Sequence, residues 1–330
     1  MSVPVTAALR DLQRPIQAEL AGVADELHRI VAADFPRIAE ISSHLLRAKG
    51  KLFRPTLLLL SHQATGGRDS GMVTLAATVE LIHLATLVHD DSVDHSALRR
   101  GMPTVNALFS HQTAVIMGDY LYSRAIIELV RLDDLEPLRI LSRVTNEMTI
   151  GEMRQLEAHD RLAFGEADYD LLIRAKTASL LSGACELGAL HAAPAEREAL
   201  RRFGFYVGMA FQIADDLLDY TQTEAVTGKP CGLDLKEHKV TLPLIAALAS
   251  GKLGREGRRR VETLMATAEP TDEMVQGVIR SVEAADGLRY AQRRAQGLAR
   301  QAEAELDALA PSAARDALRD TIAYAVERDS

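Results

Sequence analysis

The amino-acid sequence predicts an all-α, single-domain helical bundle spanning residues 1–330. Helix-forming Ala, Leu, Glu, Arg and Gln supply much of the 330-residue chain. Aromatic residues make up only 4% of it, and runs that alternate Val, Ile or Thr with polar residues are missing. Most segments instead repeat apolar residues with the 3.6-residue period of a helix, as residues 9–30 do.

Glycine and proline divide the chain into about ten predicted helices. The breaks fall at Gly66-Gly67, Gly101, Pro103, Pro137, Gly165, residues 228–230, residues 251–257, Pro270 and Pro311. No long polar linker separates the helices, which favours one domain. Residues 72–89 are apolar nearly all the way round, which is typical of a helix in the middle of a bundle.

Composition and charge exclude several classes of protein. A net charge of −8 argues against a nucleic-acid partner, because phosphate binding needs a basic surface. Cys185 and Cys231 form neither a disulfide framework nor a zinc-like spacing, which indicates a reducing compartment. There is no signal-peptide pattern, and apolar runs such as residues 57–60 and 242–249 are shorter than the ~20 residues that a bilayer requires. We therefore expect a cytoplasmic protein without a transmembrane segment.

Two strongly apolar helices end in the same acidic pattern, Asp-Asp-x-x-Asp. The first motif contains Asp90, Asp91 and Asp94, and the second contains Asp215, Asp216 and Asp219. The outer two carboxylates of each motif share a helix face. Carboxylates crowded within one turn repel each other unless a cation lies among them, and their hard oxygens suit Mg²⁺. Acidic triplets can also be solvated surface, but two copies after apolar helices favour metal sites.

Basic residues elsewhere in the chain can bind the diphosphate that completes such a magnesium cluster. The candidates are Lys51, Arg54, Arg99, Arg100, Lys176, Lys229 and Lys239. Arg supplies planar bidentate contacts to phosphate, and Lys supplies a point charge. Any one of these residues alone is most commonly a charge on the protein surface. The hypothesis that they bind a diphosphate therefore depends on their occurring together with both acidic motifs. Glu80-x-x-His83 also matches half of a di-iron site, but no second Glu-x-x-His occurs.

With these residues the sequence resembles the trans-type polyprenyl diphosphate synthases over residues 50–328. The shared motifs are Gly50-Lys51-x-x-Arg54-Pro55, residues 80–94, Arg99-Arg100-Gly101-x-Pro103-Thr104, residues 118–125, Gly151-Glu152-x-x-Gln155, Lys176-Thr177-Ala178-x-Leu180, residues 208–219 and residues 228–243. Within that family the sequence most resembles the bacterial octaprenyl-type synthases that make quinone side chains. Met102 departs from the pattern, since Lys is common there.

The resemblance implies an isoprenoid-synthase fold around a central apolar tunnel, a homodimer, and condensation of isopentenyl diphosphate with an allylic diphosphate. It implies three Mg²⁺ ions bridged by diphosphate. Their ligands would be Asp90, Asp94 and Asp215, with Asp91, Asp216 and Asp219 as further or water-mediated ligands. Substrate binding would fall to Arg99, Lys176 and Lys239 for the allylic diphosphate, to Lys51, Arg54, His83 and Arg100 for isopentenyl diphosphate, and to Lys229. The catalytic set would be Lys176, Thr177 and Gln212, the last two bordering the reacting carbons.

Residues before Asp90 are expected to set the product length. Thr86 and Ala85 lie one helical turn before it, about 6–7.5 Å along the axis, and Ile82 and Leu81 lie one turn further. These small or aliphatic side chains predict an apolar tunnel for a product longer than farnesyl diphosphate. The resemblance implies octaprenyl diphosphate, and Ala85→Tyr is expected to shorten it.

Two other functions remain open at this point. A class I terpene cyclase shares the helical fold and a first acidic motif, but its second motif normally reads Asn-Asp-x-x-Ser/Thr-x-x-x-Glu. It would also have no use for an isopentenyl diphosphate pocket. A non-catalytic subunit of a heteromeric synthase is the second alternative. Such subunits tend to lose acidic motifs, whereas this chain keeps both.

Overall fold

The computed structural model describes residues 5–47, 50–67, 71–158, 162–221 and 231–327, and these form seventeen α-helices. The helices are α1 (Val5–Leu12), α2 (Gln17–Ile30), α3 (Pro36–Arg47), α4 (Phe53–Ala64), α5 (Gly71–Val93), α6 (Val105–Leu108), α7 (His111–Arg131), α8 (Leu135–Ala158), α9 (Glu166–Ile173), α10 (Ser179–Gly188), α11 (Pro194–Thr221), α12 (Leu233–Lys236), α13 (Leu242–Ala249), α14 (Gly254–Met265), α15 (Asp272–Ala284), α16 (Gly287–Glu305) and α17 (Ala313–Val326). The all-α prediction is confirmed. The helices outnumber the predicted ten partly because Phe109 and Ser110 separate α6 from α7 without glycine or proline, and the Ser110 side chain caps α7 by accepting from the Thr113 backbone N–H.

Helix α5 lies in the core, as its all-round apolar sequence predicts. It packs against α2, α4 and α7, and Ala76, Val79 and Leu81 have no solvent-exposed surface. Its carboxyl end carries the first aspartate motif. Helix α11 packs against α10, α16 and α17 and carries the second motif near its own carboxyl end. Burial of both helices therefore fixes the two motifs in space.

Helix α5 also corrects the expectation that no segment reaches membrane-spanning length. Among the described residues it is the one helix long and apolar enough to cross a bilayer by length and composition. The expectation overlooked it because Glu80 and His83 interrupt the apolar run. Buried core helices pass the same test, and 61% of the apolar window of α5 is buried inside the fold.

A short β-hairpin follows the first motif and is the one β-structure among the described residues. Strands β1 (Leu98–Arg99) and β2 (Met102–Pro103) pair antiparallel, with Arg99 opposite Met102. Arg100 and Gly101 form the turn with φ of 52° and 73°, the left-handed conformations that a two-residue hairpin turn requires. The hairpin places two of the predicted basic residues next to the acidic motif that precedes them.

A π-helical turn, Arg174–Ala178, joins α9 to α10 and carries Lys176 and Thr177. Two glycines let α8 and α11 approach its backbone closely. A Cβ at Gly151 would lie 2.9 Å from the Lys176 backbone nitrogen, and one at Gly208 would lie 2.6 Å from Ala178 Cα. Both distances are shorter than side chains tolerate, so glycine is required where the two helices contact the turn.

Candidate active site

One cavity of about 830 Å³ receives aspartates from both motifs. Asp90 and Asp94 line it from the end of α5, and Asp215, Asp216 and Asp219 line it from α11. The predicted basic or polar residues on its wall are Arg99, Arg100, Lys176, Thr177, Gln212 and Lys239. The fold thus brings together most of the residues that the sequence singled out, although they come from five separate segments.

On the α5 side, Asp90 is mostly buried and lies close to other charged side chains. Its Oδ2 is 3.6 Å from Lys176 Nζ, and Lys176 also donates to Gln155 at 2.8 Å and lies 2.7 Å from Glu152. Burial, with Glu152 and Asp94 adding to it, raises the pKa of Asp90 to about 6, although Lys176 opposes the shift. A bound cation would relieve this crowding.

Asp91 does not share the cavity wall with its neighbours. It is 6% exposed, and Arg99 Nε donates to its Oδ1 at 2.8 Å and to its Oδ2 at 2.9 Å. The structure therefore places this predicted metal ligand beneath the hairpin, where it fixes the guanidinium of Arg99.

On the α11 side, Asp216 accepts hydrogen bonds at both oxygens. Tyr169 Oη donates to Oδ2 at 2.6 Å, and Gln212 Nε2 donates to Oδ1 at 2.9 Å. Thr177 Oγ1 in turn donates to Gln212 Oε1 at 2.8 Å. Burial raises the pKa of Asp216 to about 7, with the neighbouring Asp215 and Asp219 adding to the shift.

Asp219 and Lys239 connect α11 to the segment around α12. The Asp219 carboxylate accepts backbone N–H bonds from Leu233 at 3.0 Å and Asp234 at 3.1 Å. Lys239 Nζ donates to Glu237 at 2.6 Å and lies 3.8 Å from Asp234. Burial alone would lower the pKa of Lys239, but nearby carboxylates, with Asp94 of the first motif among them, raise it overall.

A second cationic cluster lies beside the cavity and contains Arg54, Arg100 and His83. Burial lowers the pKa of Arg54 to about 10, with Arg100 contributing. Burial and the positive charges of Arg54 and Arg100 hold the pKa of His83 well below its ordinary value, so its imidazole is neutral at pH 7. Glu80 is buried among these groups. This charge arrangement suits a second anion.

Lys51, another predicted substrate-binding residue, is not among the residues that line the cavity. Lys51 is exposed, and its Nζ lies 5.9 Å from the ring centroid of Tyr324 on the last helix. Lys229 lies outside the described residues.

The predicted chain-length residues separate into two groups. Ala85, Ile82 and Leu81 are at most 2% exposed and pack in the hydrophobic core. Thr86 keeps accessible surface on the same helix face as Asp90, and Leu87 lines the cavity. Thr86 shares the helix face of Asp90 because it lies four residues before it, and the placement of Ala85, Ile82 and Leu81 along a tunnel stays a prediction.

The oxygen donors fit Mg²⁺ bound together with a diphosphate. Within the described part of the chain, no three acidic, histidine or cysteine side chains converge closely enough to hold an ion by themselves. Mg²⁺ binds through one or two carboxylates plus waters and substrate phosphates rather than in an all-protein cage. Aspartates from two helices beside basic residues on one cavity suit that mode of binding.

Comparison with known proteins decides the family. The polyprenyl synthetase family model matches residues 35–282. The chain belongs to the polyprenyl synthetase family. Heptaprenyl diphosphate synthase component 2 of Geobacillus stearothermophilus is 36% identical, over 94% of this chain and 96% of its own length. Octaprenyl diphosphate synthase of Escherichia coli strain K12 is 34% identical, over 94% of this chain and 96% of the relative.

Solved structures agree with this assignment. Polyprenyl synthase from Caulobacter crescentus CB15, crystallised with calcium and isoprenyl diphosphate, superposes with a TM-score of 0.92 at 34% identity, covering 98% of each chain. Decaprenyl diphosphate synthase from Rhodobacter capsulatus gives 0.91 at 34% identity, covering 97% of this chain and 98% of the relative. The chain is a prenyltransferase with an isoprenoid-synthase fold. Relatives named for heptaprenyl, octaprenyl and decaprenyl products do not single out one product length.

The sequence analysis missed three site residues of this synthase. Tyr169 and Asp234 line the cavity, and Glu80 is buried beside Arg54 and Arg100. Glu80 was considered only as half of a di-iron motif. Tyr169 lies two helical turns before Lys176 in the sequence. This spacing places the two side chains on one face only if one helix contains both residues, which the sequence alone does not show. Asp234 follows a glycine-rich loop, where helical spacing gives no information.

We expect Asp90→Asn to stabilise the ion-free protein at pH 7.5 and to do so less at pH 5. The pKa of Asp90 rises from 3.8 to about 6 on folding, so the folded state favours the protonated carboxyl. That contribution is complete below pH ~4 and lost as the pH rises through ~6. The Asn side chain of the variant is neutral at every pH and avoids this loss in the free energy of unfolding, which is on the order of 2–3 kcal/mol at pH 7.5.

Thermal melts in EDTA at both pH values measure this difference. Asp119→Asn is the matched control, since the Asp119 side chain is 71% exposed, and its effect should be small at either pH. An equal effect of Asp90→Asn at pH 5 and pH 7.5 would show that burial does not perturb this carboxyl.

Proposed function

We propose that this prenyltransferase is a magnesium-dependent trans-polyprenyl diphosphate synthase that condenses isopentenyl diphosphate with an allylic diphosphate. The observation that carries the proposal is the convergence of both aspartate motifs and four cationic residues, Arg99, Arg100, Lys176 and Lys239, on one cavity. An allylic diphosphate has one charged end and one apolar tail. The cavity wall combines carboxylates and cations with the apolar side chains of Leu87, Phe164, Leu172 and Leu218.

Three Mg²⁺ ions, bridged by the diphosphate, are the proposed cofactor. Asp90, Asp94 and Asp215 would hold them, because these carboxylates line the cavity. When bound, the ions supply Lewis-acid stabilisation of the departing diphosphate. The Caulobacter relative was crystallised with calcium and isoprenyl diphosphate, which supports oxygen-ligated divalent ions at a family site of this kind.

The protein's own cations hold and orient the allylic substrate. Lys176, Arg99 and Lys239 would bind its diphosphate, and their positive charges stabilise the negative charge that develops as the C–O bond breaks. Thr177 and Gln212, hydrogen-bonded to each other, would border the resulting allylic cation. Bringing the two reactants together accounts for a large part of the rate.

Isopentenyl diphosphate would bind the second cluster, formed by Arg54, Arg100 and the neutral His83, with Lys51 and Lys229 as further contacts. Its double bond then attacks the allylic carbon, and the departing diphosphate takes the proton that is lost. This assignment needs no histidine or glutamate as a general base. It also gives the second cluster a purpose, whereas a terpene cyclase has no second diphosphate to bind.

The proposed product is a medium- or long-chain all-trans polyprenyl diphosphate for quinone side chains, with octaprenyl as the specific length. Aliphatic and small residues near Asp90, including Thr86 and Leu87, leave room beside the allylic carbon for a growing chain. Octaprenyl is the product named for the Escherichia coli relative, and the heptaprenyl and decaprenyl products named for other relatives are the lengths from which product sizing must distinguish it. An apolar tunnel continuing from this cavity would shield the tail.

We further propose that the synthase is a homodimer joined through α7 and α8. These two helices expose large apolar side chains. They are Val115, Ile116, Ile126, Ile127 and Val130 on α7 and Ile150, Met153 and Leu156 on α8. Exposed apolar residues concentrated on two helices that follow each other in the chain favour a protein–protein interface there.

The proposed activity is tested with the purified chain, radiolabelled isopentenyl diphosphate, farnesyl diphosphate and Mg²⁺. We expect elongated prenyl diphosphates, sized by reverse-phase chromatography, and no product in EDTA. Asp90→Ala and Asp215→Ala should each lower turnover about 100-fold or more, because the ions contribute several kcal/mol to the transition state.

Asp316→Ala serves as the control because the Asp316 side chain is 68% exposed on α17 and outside the cavity wall. Near-native turnover by either cavity variant at saturating Mg²⁺ would contradict the metal role. A purified wild-type chain that makes no product alone would favour a non-catalytic subunit.

Thr86→Phe is expected to shorten the product. Thr86 keeps accessible surface on the helix face of Asp90, so an aromatic ring there would obstruct the growing tail. Ala85→Tyr should instead lower the melting temperature, because Ala85 is 0% exposed and a larger side chain overpacks the core. Product sizing and thermal melts of both variants distinguish the two positions. A shorter product from a stably folded Ala85→Tyr, with Thr86→Phe unchanged, would return the role to Ala85.

Ile116→Lys is expected to convert the dimer to a monomer. Ile116 is 65% exposed at the centre of the proposed interface, and dimerisation would bury the added charge without a partner. Light scattering after size exclusion measures the mass. Phe35→Lys, at a residue that is 63% exposed on another surface, is the control and should remain dimeric. A wild-type mass of one chain at micromolar concentration would refute the interface.

A further inference from the structure

The second aspartate is the most buried carboxylate in each motif. Asp91 and Asp216 are 6% and 5% exposed. Each accepts hydrogen bonds from protein donors at both carboxylate oxygens. The aspartates that precede them, Asp90 and Asp215, line the cavity with more accessible side chains, and Asp216 also reaches its wall. The equivalence is notable because the two motifs come from different helices.

The partner of Asp91 is a residue that the proposed function assigns to the allylic diphosphate. Arg99 Nε donates a hydrogen bond to both carboxylate oxygens of Asp91, at distances of no more than 2.9 Å. A guanidinium has five N–H donors, and those on its terminal nitrogens remain available for phosphate. Because Arg99 lies on a two-residue strand, this ion pair fixes a side chain that its backbone alone would leave mobile.

The partners of Asp216 form a chain across three helical segments. Tyr169 on α9 and Gln212 on α11 both donate to Asp216, and Thr177 on the π-helical turn donates to Gln212. The carboxylate fixes the orientation of the Gln212 amide, because only the NH₂ group can donate to it. The amide oxygen then faces Thr177 and takes its hydroxyl hydrogen. The Thr177 hydroxyl oxygen can therefore only accept hydrogen bonds from a group in the cavity.

We propose that Asp91 and Asp216 are positioning residues rather than ion ligands: Asp91 fixes Arg99, and Asp216, held by Tyr169, fixes Gln212 and Thr177. This inference rests on the proposed function and revises the ligand set that goes with it. It also assigns a role to the buried Tyr169, whose hydroxyl donates to Asp216. The ions would then be held by Asp90, Asp94 and Asp215.

The test compares each second aspartate with the one before it. Asp91→Asn is paired with Asp90→Asn, and Asp216→Asn with Asp215→Asn. Calorimetric titration with Mg²⁺ and inorganic pyrophosphate measures the half-saturating Mg²⁺ concentration without turnover. We expect Asp90→Asn and Asp215→Asn to raise it about tenfold or more, and Asp91→Asn and Asp216→Asn to change it by less than about threefold.

Steady-state kinetics separate the two positioning roles. Asp91→Asn should raise KM for the allylic diphosphate about tenfold, because Arg99 is no longer fixed. Asp216→Asn should lower kcat about tenfold with little change in either KM. Tyr169→Phe removes a single hydroxyl and should also lower kcat. The double variant with Asp216→Asn should be no worse than Asp216→Asn alone, since both changes disrupt one chain.

Two results would overturn the proposal. One is a half-saturating Mg²⁺ concentration for Asp91→Asn or Asp216→Asn that rises as much as it does for the preceding aspartate. The other is additivity of Tyr169→Phe and Asp216→Asn in kcat. Failure of the proposed function is recognised separately: the wild-type protein would then bind Mg²⁺ and pyrophosphate but produce no elongated prenyl diphosphate.

Discussion

Electrostatic repulsion among aspartates on one cavity is the constraint on which this structure depends. Two helices, α5 and α11, end beside the same space, and each delivers carboxylates at the end where the helix dipole disfavours negative charge. The pKa values of Asp90 and Asp216, raised to about 6 and about 7, record the cost of ionising buried carboxyls there. A site with this much unfavourable charge needs cations, and a divalent ion with a diphosphate meets that need.

The protein itself offsets part of the repulsion. Lys176 lies between Asp90 and Glu152, and Arg99 pairs with Asp91. These contacts require opposite charges, and they also require that the backbones of neighbouring helical segments approach each other closely. The turn that carries Lys176 fits between α8 and α11 because Gly151 and Gly208 lack side chains. Packing geometry and electrostatics are therefore coupled at this site, since a bulkier residue at either glycine would displace a charge as well as a helix.

In the proposed function, the arrangement also separates the two diphosphate sites by their charge. The cavity carries both signs, which suits a diphosphate bound with ions. The cluster of Arg54, Arg100 and His83 is cationic around the single buried carboxylate of Glu80. An anion there would meet cations directly. Isopentenyl diphosphate would then bind without loss of its diphosphate, while the allylic partner ionises next to the metal ions.

The sequence by itself determined the all-α class, the central position of α5 and most of the charged residues on the cavity wall. Helical periodicity and local spacing are properties of neighbouring residues, so Asp90 and Asp94 could be placed on one face without a structure. Only the tertiary structure decided that Ala85 packs in the core while Thr86 keeps access, and that Asp91 faces Arg99. It alone joined Tyr169, Asp216, Gln212 and Thr177 into one chain of hydrogen bonds. These contacts link residues that are distant in sequence, and their geometry follows from how the helices pack, which helical periodicity does not specify.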